Sequence, residues 1–165
     1  MSFRLRLEKE TVKFSCSHFT IFGPDSAEAL HGHNYYVSAE FGLSDLDPQL
    51  GLAFDFNSLK PLLKLLAERL DEHVLIPTKS PFLKVEKTQT SVEITHGVRF
   101  YVFPASDVRL LDVANVTSEE LARDFANSLI AELKAAGRPE FKRITTISIG
   151  IQETRGQTVF YDTKM

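Results

Sequence analysis

His18, His31 and His33 are the residues of this chain whose type and spacing point most directly to chemistry. In Leu30-His31-Gly32-His33 two imidazoles lie two positions apart. A β-strand turns alternate side chains to one face, so the pair stands side by side. Phe14-Ser15-Cys16-Ser17-His18 reads as a second strand, and a hairpin between the two brings the third ring against the pair. Three neutral imidazoles around an open fourth position form the donor set of a catalytic zinc, not of a closed structural one. The plainer alternative is a core histidine at His18 and a turn at His31-Gly32-His33; the third ring and the polar residues below favour the metal. Cys16 shares the strand face of His18 and is either a fourth ligand or substitute base, or a small buried apolar residue. The last is the commoner state of a free cysteine and is preferred.

The elements that must carry these residues are readable from periodicity. Phe3 to Leu7 alternates apolar and charged, Phe14 to Phe19 continues as strand, and Asn34 to Phe41 is the next strand, with a loop around Gly23-Pro24 between the histidines. Leu59, Leu62, Leu63, Leu66 and Leu70 mark one helical face, with Asn57 or Ser58 as cap, Pro61 in the first turn and Asp71-Glu72-His73 at the end. Asp55 is a loop or capping acid. Val74 to Phe103 reads as a loop and short strands that flank a turn at His96-Gly97. Thr117 and Glu120 make a capping box for a second helix with the stripe Leu121, Phe125, Leu129, Leu133, ended by Gly137 and Pro139. Ile144 to Ile151 is a β-branched strand, and Thr158 to Tyr161 a last short one. This order predicts an α+β fold, an antiparallel sheet with two helices on one face. Its open edges favour edge-to-edge association of copies.

The 165 residues fit one domain, 1–165, large enough for a real core. A hydrophobic share of 43% with 25% charged residues is that of a soluble globular protein. The net charge of -3 gives no reason to expect nucleic acid or an anionic membrane as partner. No apolar run reaches membrane-spanning length, and Met1 to Glu10 is charged and alternating, unlike a signal peptide. A single cysteine excludes an intrachain disulfide, so a cytoplasmic location is the expectation.

Taken together, several stretches resemble the 6-pyruvoyl-tetrahydropterin and 6-carboxytetrahydropterin synthase family. They are Phe14 to His18, His31-Gly-His33-Asn34-Tyr35, Asp55 to Lys60, Leu70-Asp71-Glu72-His73, Asn115 to Ala122 and Glu153-Thr154, in the family's order over most of the chain. The resemblance implies the T-fold, whose subunits join their sheets into a barrel with active sites at subunit interfaces. The copies would number three, four or six. It also implies a small-molecule pterin substrate, usually 7,8-dihydroneopterin triphosphate, and a zinc ion on His18, His31 and His33 that polarises the hydroxyls of the substrate's C6 side chain. His73 is the implied proton carrier, with Asp71 or Glu72 orienting its imidazole. The family sets this histidine directly after the aspartate; here Glu72 intervenes, which leaves the register of the pair open. Glu153 matches the pterin anchor: a carboxylate ending a buried strand needs a partner, and a pterin edge offers two parallel N–H donors. Thr117 and Glu119 belong to a helix start that lines the pterin pocket, although Thr117 is required as a cap in any case.

One departure selects the subclass. Most members carry a catalytic cysteine shortly before His-Gly-His, and Phe22 to Leu30 has none; Glu28 stands three residues before His31. This is similar to the variant group in which glutamate replaces the cysteine and the side chain is cleaved to give 6-hydroxymethyl-7,8-dihydropterin. A carboxylate and a thiol differ in basicity by about four pKa units before the site acts on them. The expected activity is therefore a zinc-dependent lyase. The competitors are 6-carboxytetrahydropterin formation on the route to queuosine, 6-pyruvoyl-tetrahydropterin formation by triphosphate elimination, a non-catalytic pterin binder, and a structural zinc scaffold with Cys16 as fourth ligand.

Overall fold

The computed structural model describes residues 3–165. A single long strand, β1 (Phe3–His18), takes the place of the two short strands expected there. It pairs antiparallel with β2 (His31–Leu43), with His18 opposite His31 and Cys16 opposite His33. The continuity survives a bulge: between Glu8 and Lys13 β1 advances five residues while β2 advances from Ser38 to Tyr36. His31-Gly32-His33 is thus extended backbone, not a turn.

Two further strands, β8 (Ile144–Thr154) and β9 (Gln157–Lys164), extend this sheet antiparallel beyond β2. The other edge departs from an all-antiparallel plan. β3 (His73–Pro77) pairs parallel with β1 through Cys16 and Ser17, and β7 (Val108–Leu111) pairs parallel with β3. Helix α1 (Lys60–Glu68) crosses back over the sheet between β2 and β3, and such a crossover is what a parallel pairing requires. The order is β7-β3-β1-β2-β8-β9.

Helix α1 is shorter than its leucine stripe suggests. Its entry is a 3₁₀ turn at Phe56–Ser58, capped by Asp55, whose carboxylate accepts the Asn57 amide at 2.9 Å; neither Asn57 nor Ser58 caps the helix. The helix stops at Glu68, well before His73, because Glu72 turns left-handed (φ 58°) and directs the chain into β3. Helix α2 (Ser118–Ala136) follows its signals closely: Thr117 accepts the Glu120 amide, and Gly137 ends it at φ 60°. Both helices cover the same sheet face. Phe14, Tyr35, Val37 and Phe41 meet Ile147, Ile149 and Ile151, then Leu59 before α1, Leu63 and Leu66 of α1, and Leu121, Phe125 and Leu129 of α2. Each fully buried ring or branched chain contributes about 1.5–3 kcal/mol.

Residues 84–104 form a separate antiparallel sheet of β4 (Lys84–Lys87), β5 (Ser91–His96) and β6 (Arg99–Pro104). The β5–β6 turn is two residues long, with Gly97 at φ 56° as such a tight hairpin requires. Val92 and Ile94 close a second small core with Phe19, Ile21 and Ile76, against which Ala27 and Leu30 also pack. The loop between β1 and β2 therefore rests on this sheet.

Candidate metal centre and adjoining cavity

Strand alternation places His31, His33 and Tyr35 on the helix-facing side of β2, and His18 on the same side of β1. The ring centroids are 4.7 Å apart for His18 and His31, 5.5 Å for His18 and His33, and 4.7 Å for His31 and His33. One nitrogen of each ring lies within 4.8 Å of the others. Cys16 is not in that group. It is buried, and burial first, with Asp71 and Glu153 adding, pushes its thiol up to about 12. Cys16 thus has the setting of a small buried core residue, and it stands outside the three-histidine donor group that a fourth ligand would have to join.

The donors suit a divalent cation. His18 is almost fully buried (1% exposed), and its Nδ1 sits 3.0 Å from the Val116 carbonyl. A carbonyl can only accept, so Nδ1 carries the proton and Nε2 presents its lone pair. Burial lowers the His18 pKa below 6.5, and His31 and His33 add to that against the Val116 carbonyl, so the ring stays neutral. The carbonyl also fixes the donor nitrogen at His31, whose Nδ1 donates to Ala29 O at 2.8 Å. Neutral imidazoles with outward Nδ1–H and inward Nε2 are in the form that binds zinc at about 2.0–2.1 Å.

Glu153 closes on this cluster. Its Oε1 lies 3.5 Å from His33 Nε2 and 3.8 Å from His18 Nε2, and accepts the Tyr35 hydroxyl at 2.8 Å. Tyr35 is completely buried, and its oxygen is also 3.0 Å from His18 Nε2. The sequence reading did not single out Tyr35, yet its parity with His31 and His33 is a signal that could have done so.

Glu28 sits near His31, in the loop between the metal-bearing strands. Its carboxylate accepts the Thr20 amide at 3.0 Å, and its own amide donates to Thr20 O at 2.9 Å. Partial burial raises the carboxyl pKa, but the Thr20 hydrogen bonds and the nearby His31 and His18 outweigh it, and the net shift is downward. Thr20, Phe22, Glu28, Thr117, Glu119 and Glu153, with residues 156–159, line one cavity of about 620 Å³. The fold thus brings together Glu28, Thr117, Glu119 and Glu153, and sets them beside the histidines.

Asp71 and His73 do not join them. His73 opens β3 and lines a different hollow of about 490 Å³ with Ser15, Cys16, His33, Asn34, Glu72 and Asp107; of the three clustered histidines only His33 borders it. Its Nδ1 is held by the main-chain carbonyl of Asp71 at 2.5 Å, while the Asp71 carboxylate accepts the Ser15 amide at 2.7 Å. The orientation expected from a carboxylate of Asp71 or Glu72 therefore comes from backbone. Among the described residues no helix is long and apolar enough to cross a membrane.

The family model for 6-pyruvoyl tetrahydropterin synthase matches residues 6–164. A Methanocaldococcus jannaschii protein with the provisional name 6-carboxy-5,6,7,8-tetrahydropterin synthase is 29% identical over 150 residues, 91% of this chain and 89% of its own length. The 6-pyruvoyl tetrahydropterin synthase of Plasmodium falciparum superposes with a TM-score of 0.90 at 28% identity, over 99% of both chains. That of Plasmodium vivax gives 0.90 at 25% identity, over 100% of this chain and 99% of its own. Two variants of the P. vivax enzyme replace a glutamate described as a catalytic residue, one by alanine and one by cysteine.

Proposed function

This chain belongs to the 6-pyruvoyl tetrahydropterin synthase family, and from its site we propose that it is a zinc-dependent lyase that cleaves the C6 side chain of 7,8-dihydroneopterin triphosphate to 6-hydroxymethyl-7,8-dihydropterin. Glu28 carries this reading. It is the acid of the loop that lacks a cysteine, it shares a cavity with Glu153, and it lies beside His31 and His18. The catalytic glutamate of the P. vivax enzyme supports the choice of a carboxylate for this role.

His18, His31 and His33 would hold the zinc ion, which when bound supplies Lewis-acid polarisation of the side-chain hydroxyls. The remaining work falls to the protein. Glu153 accepts the two parallel N–H donors of the pterin edge in a bidentate pair, and Thr117 and Glu119 border the ring. Glu28 takes the C2′ hydroxyl proton. C2′ then becomes the carbonyl carbon of a two-carbon aldehyde that keeps the triphosphate. The C1′–C2′ bonding pair passes into the C6=N5 imine, and a proton returned to C1′ completes the hydroxymethyl group. A carboxylate held below its usual range is ionised at neutral pH and ready to accept that proton.

Within one chain His73 lines a hollow that His33 borders but Glu28 does not, and the Asp71 carboxylate is taken by the Ser15 amide, so their part in proton transfer is assigned to a site completed by a second copy. Edges are available for such assembly: β9 is terminal in the sheet, and β3 pairs with β1 only at Cys16 and Ser17.

Mass spectrometry of products from purified zinc-loaded protein and 7,8-dihydroneopterin triphosphate tests the reading. The expected result is 6-hydroxymethyl-7,8-dihydropterin from wild type and only a small residual rate of its formation from Glu28→Ala at unchanged zinc content. A 6-carboxy or 6-pyruvoyl product, or full turnover by Glu28→Ala, overturns it; unchanged substrate with wild type identifies a binding protein instead.

A further inference from the structure

We infer that the β5–β6 hairpin is the device that fixes the Glu28 carboxylate, with Arg99 and His96 as positioning residues at the two ends of the loop that carries it. The inference rests on the assignment of Glu28 as proton acceptor. His96 and Arg99 face each other across the tight turn at the hairpin tip. His96 is 2% exposed, and its Nε2 donates to the Gly23 carbonyl at 2.8 Å. The Arg99 guanidinium donates to the main-chain carbonyl of Glu28 itself. Between these points Gly97 lies so close to the loop that a Cβ there would come within 3.2 Å of Asp25 Oδ1. From below, Ala27 and Leu30 pack on the core closed by Ile94 and Val92. The segment is therefore held at Gly23, at Glu28 and along its underside by one element.

The choice of acceptor is informative. A guanidinium close to an acid ordinarily pairs with its carboxylate. Here Arg99 spends its hydrogen bond on the backbone of Glu28, and the carboxylate turns away to the Thr20 amide. The cation thus anchors the residue without capturing its charge. Asn115 completes the frame from the other side. Its amide group accepts from Ile21 N and Val116 N and donates to Ile21 O, which ties the start of the loop to the segment whose carbonyl holds His18. Acid and metal ligand are set by a shared scaffold, and a displacement of about 1 Å in such a pair costs up to roughly 100-fold in rate.

The test is a kinetic cycle on zinc-loaded protein with 7,8-dihydroneopterin triphosphate, using Arg99→Ala, Arg99→Lys, Glu28→Ala and the double variant Glu28→Ala/Arg99→Ala. Arg99→Ala is expected to lower kcat roughly 10- to 100-fold, with KM and zinc content little changed. Arg99→Lys is expected to recover part of that loss. In the Glu28→Ala background the same change is expected to leave the residual rate unaltered, because Arg99 acts only through Glu28. Hydrogen–deuterium exchange of residues 20–28 is expected to rise in Arg99→Ala and to return towards wild type in Arg99→Lys. Wild-type kcat in Arg99→Ala, an equal loss in both backgrounds, or unaltered exchange overturns the inference while Glu28 keeps its role. Full turnover by Glu28→Ala overturns both.

Discussion

Tyr35 donates its hydroxyl proton to Glu153 at 2.8 Å, from a fully buried ring in the same strand as two of the three clustered histidines. One side chain thus links the candidate substrate anchor to the candidate metal centre, since the same oxygen lies 3.0 Å from His18 Nε2. Tyr35→Phe keeps the ring in the core and removes this bond together with the contact to His18 Nε2. Loss of one hydrogen bond to a charged group costs about 1.5–3 kcal/mol, which is a roughly 10- to 150-fold rise in KM. Zinc content is expected to stay at wild-type level. Steady-state kinetics with metal analysis checks this; an unchanged KM would show that the hydroxyl does not hold Glu153 for substrate.

Removal of one imidazole separates metal binding from fold. His31 is only half-buried, and its Nδ1 bond to Ala29 O ties it to the adjacent loop, not to the core. His31→Ala is therefore expected to leave the thermal midpoint of the metal-free protein within a few degrees of wild type. Zinc affinity should fall by more than the 10- to 100-fold typical of losing an outer hydrogen-bond partner, and activity should disappear with the metal. Zinc titration by calorimetry beside a thermal melt reads both quantities. A variant that retains tight zinc would place the cation elsewhere.

Much of this arrangement was legible in the sequence, and what was missed has a common cause. The His-x-His pair, the Thr117 cap, Gly137 and the apolar stripes are local patterns, and each appears where local rules put it. The bulge that keeps β1 continuous and the parallel pairing of β3 with β1 depend on partners far along the chain. Leu70 extends the leucine stripe but lies past the end of α1, because tertiary packing buries it in a turn. Glu28, Thr117, Glu119 and Glu153 could be named one at a time, but their convergence on one cavity is a property of the topology. The sequence also set His73 at a helix end with a carboxylate to orient it; a left-handed residue and a backbone carbonyl do that work instead.

Acid should destabilise the metal-free protein through His18. Its folded pKa is lowered by burial below the ordinary 6.5, so the unfolded chain takes up a proton that the folded chain refuses. Where the unfolded state binds more protons, stability rises with pH. The contribution is complete above about pH 6.5 and is lost as the pH falls from there through the folded value. The thermal midpoint after chelation is thus expected to drop more steeply from about pH 7 to 5 in wild type than in His18→Asn, which has no proton to take up. Equal slopes would mean that His18 is protonated in the folded state and is not the neutral ligand inferred here.

Glu72 stores strain that a single substitution can release. It is the only non-glycine residue with positive φ (58°) among the described residues, and it lies between the end of α1 and the start of β3. An L-residue in this left-handed conformation costs about 1–2 kcal/mol relative to its right-handed form, whereas glycine adopts it freely. Its side chain is exposed, and its amide donates to Ser15 O at 2.7 Å, a bond that glycine keeps. Glycine also gives the unfolded chain more freedom, which offsets part of the gain. Glu72→Gly is therefore expected to stabilise the protein by up to about 1 kcal/mol, read as a higher denaturation midpoint at an unchanged m-value. If the strain is what holds His73 and Asp71 in place, exchange of the Asp71 and His73 amides should rise in the same variant although the whole protein has become more stable. A lower midpoint would mean that the Glu72 side chain makes a contribution larger than the backbone strain it imposes.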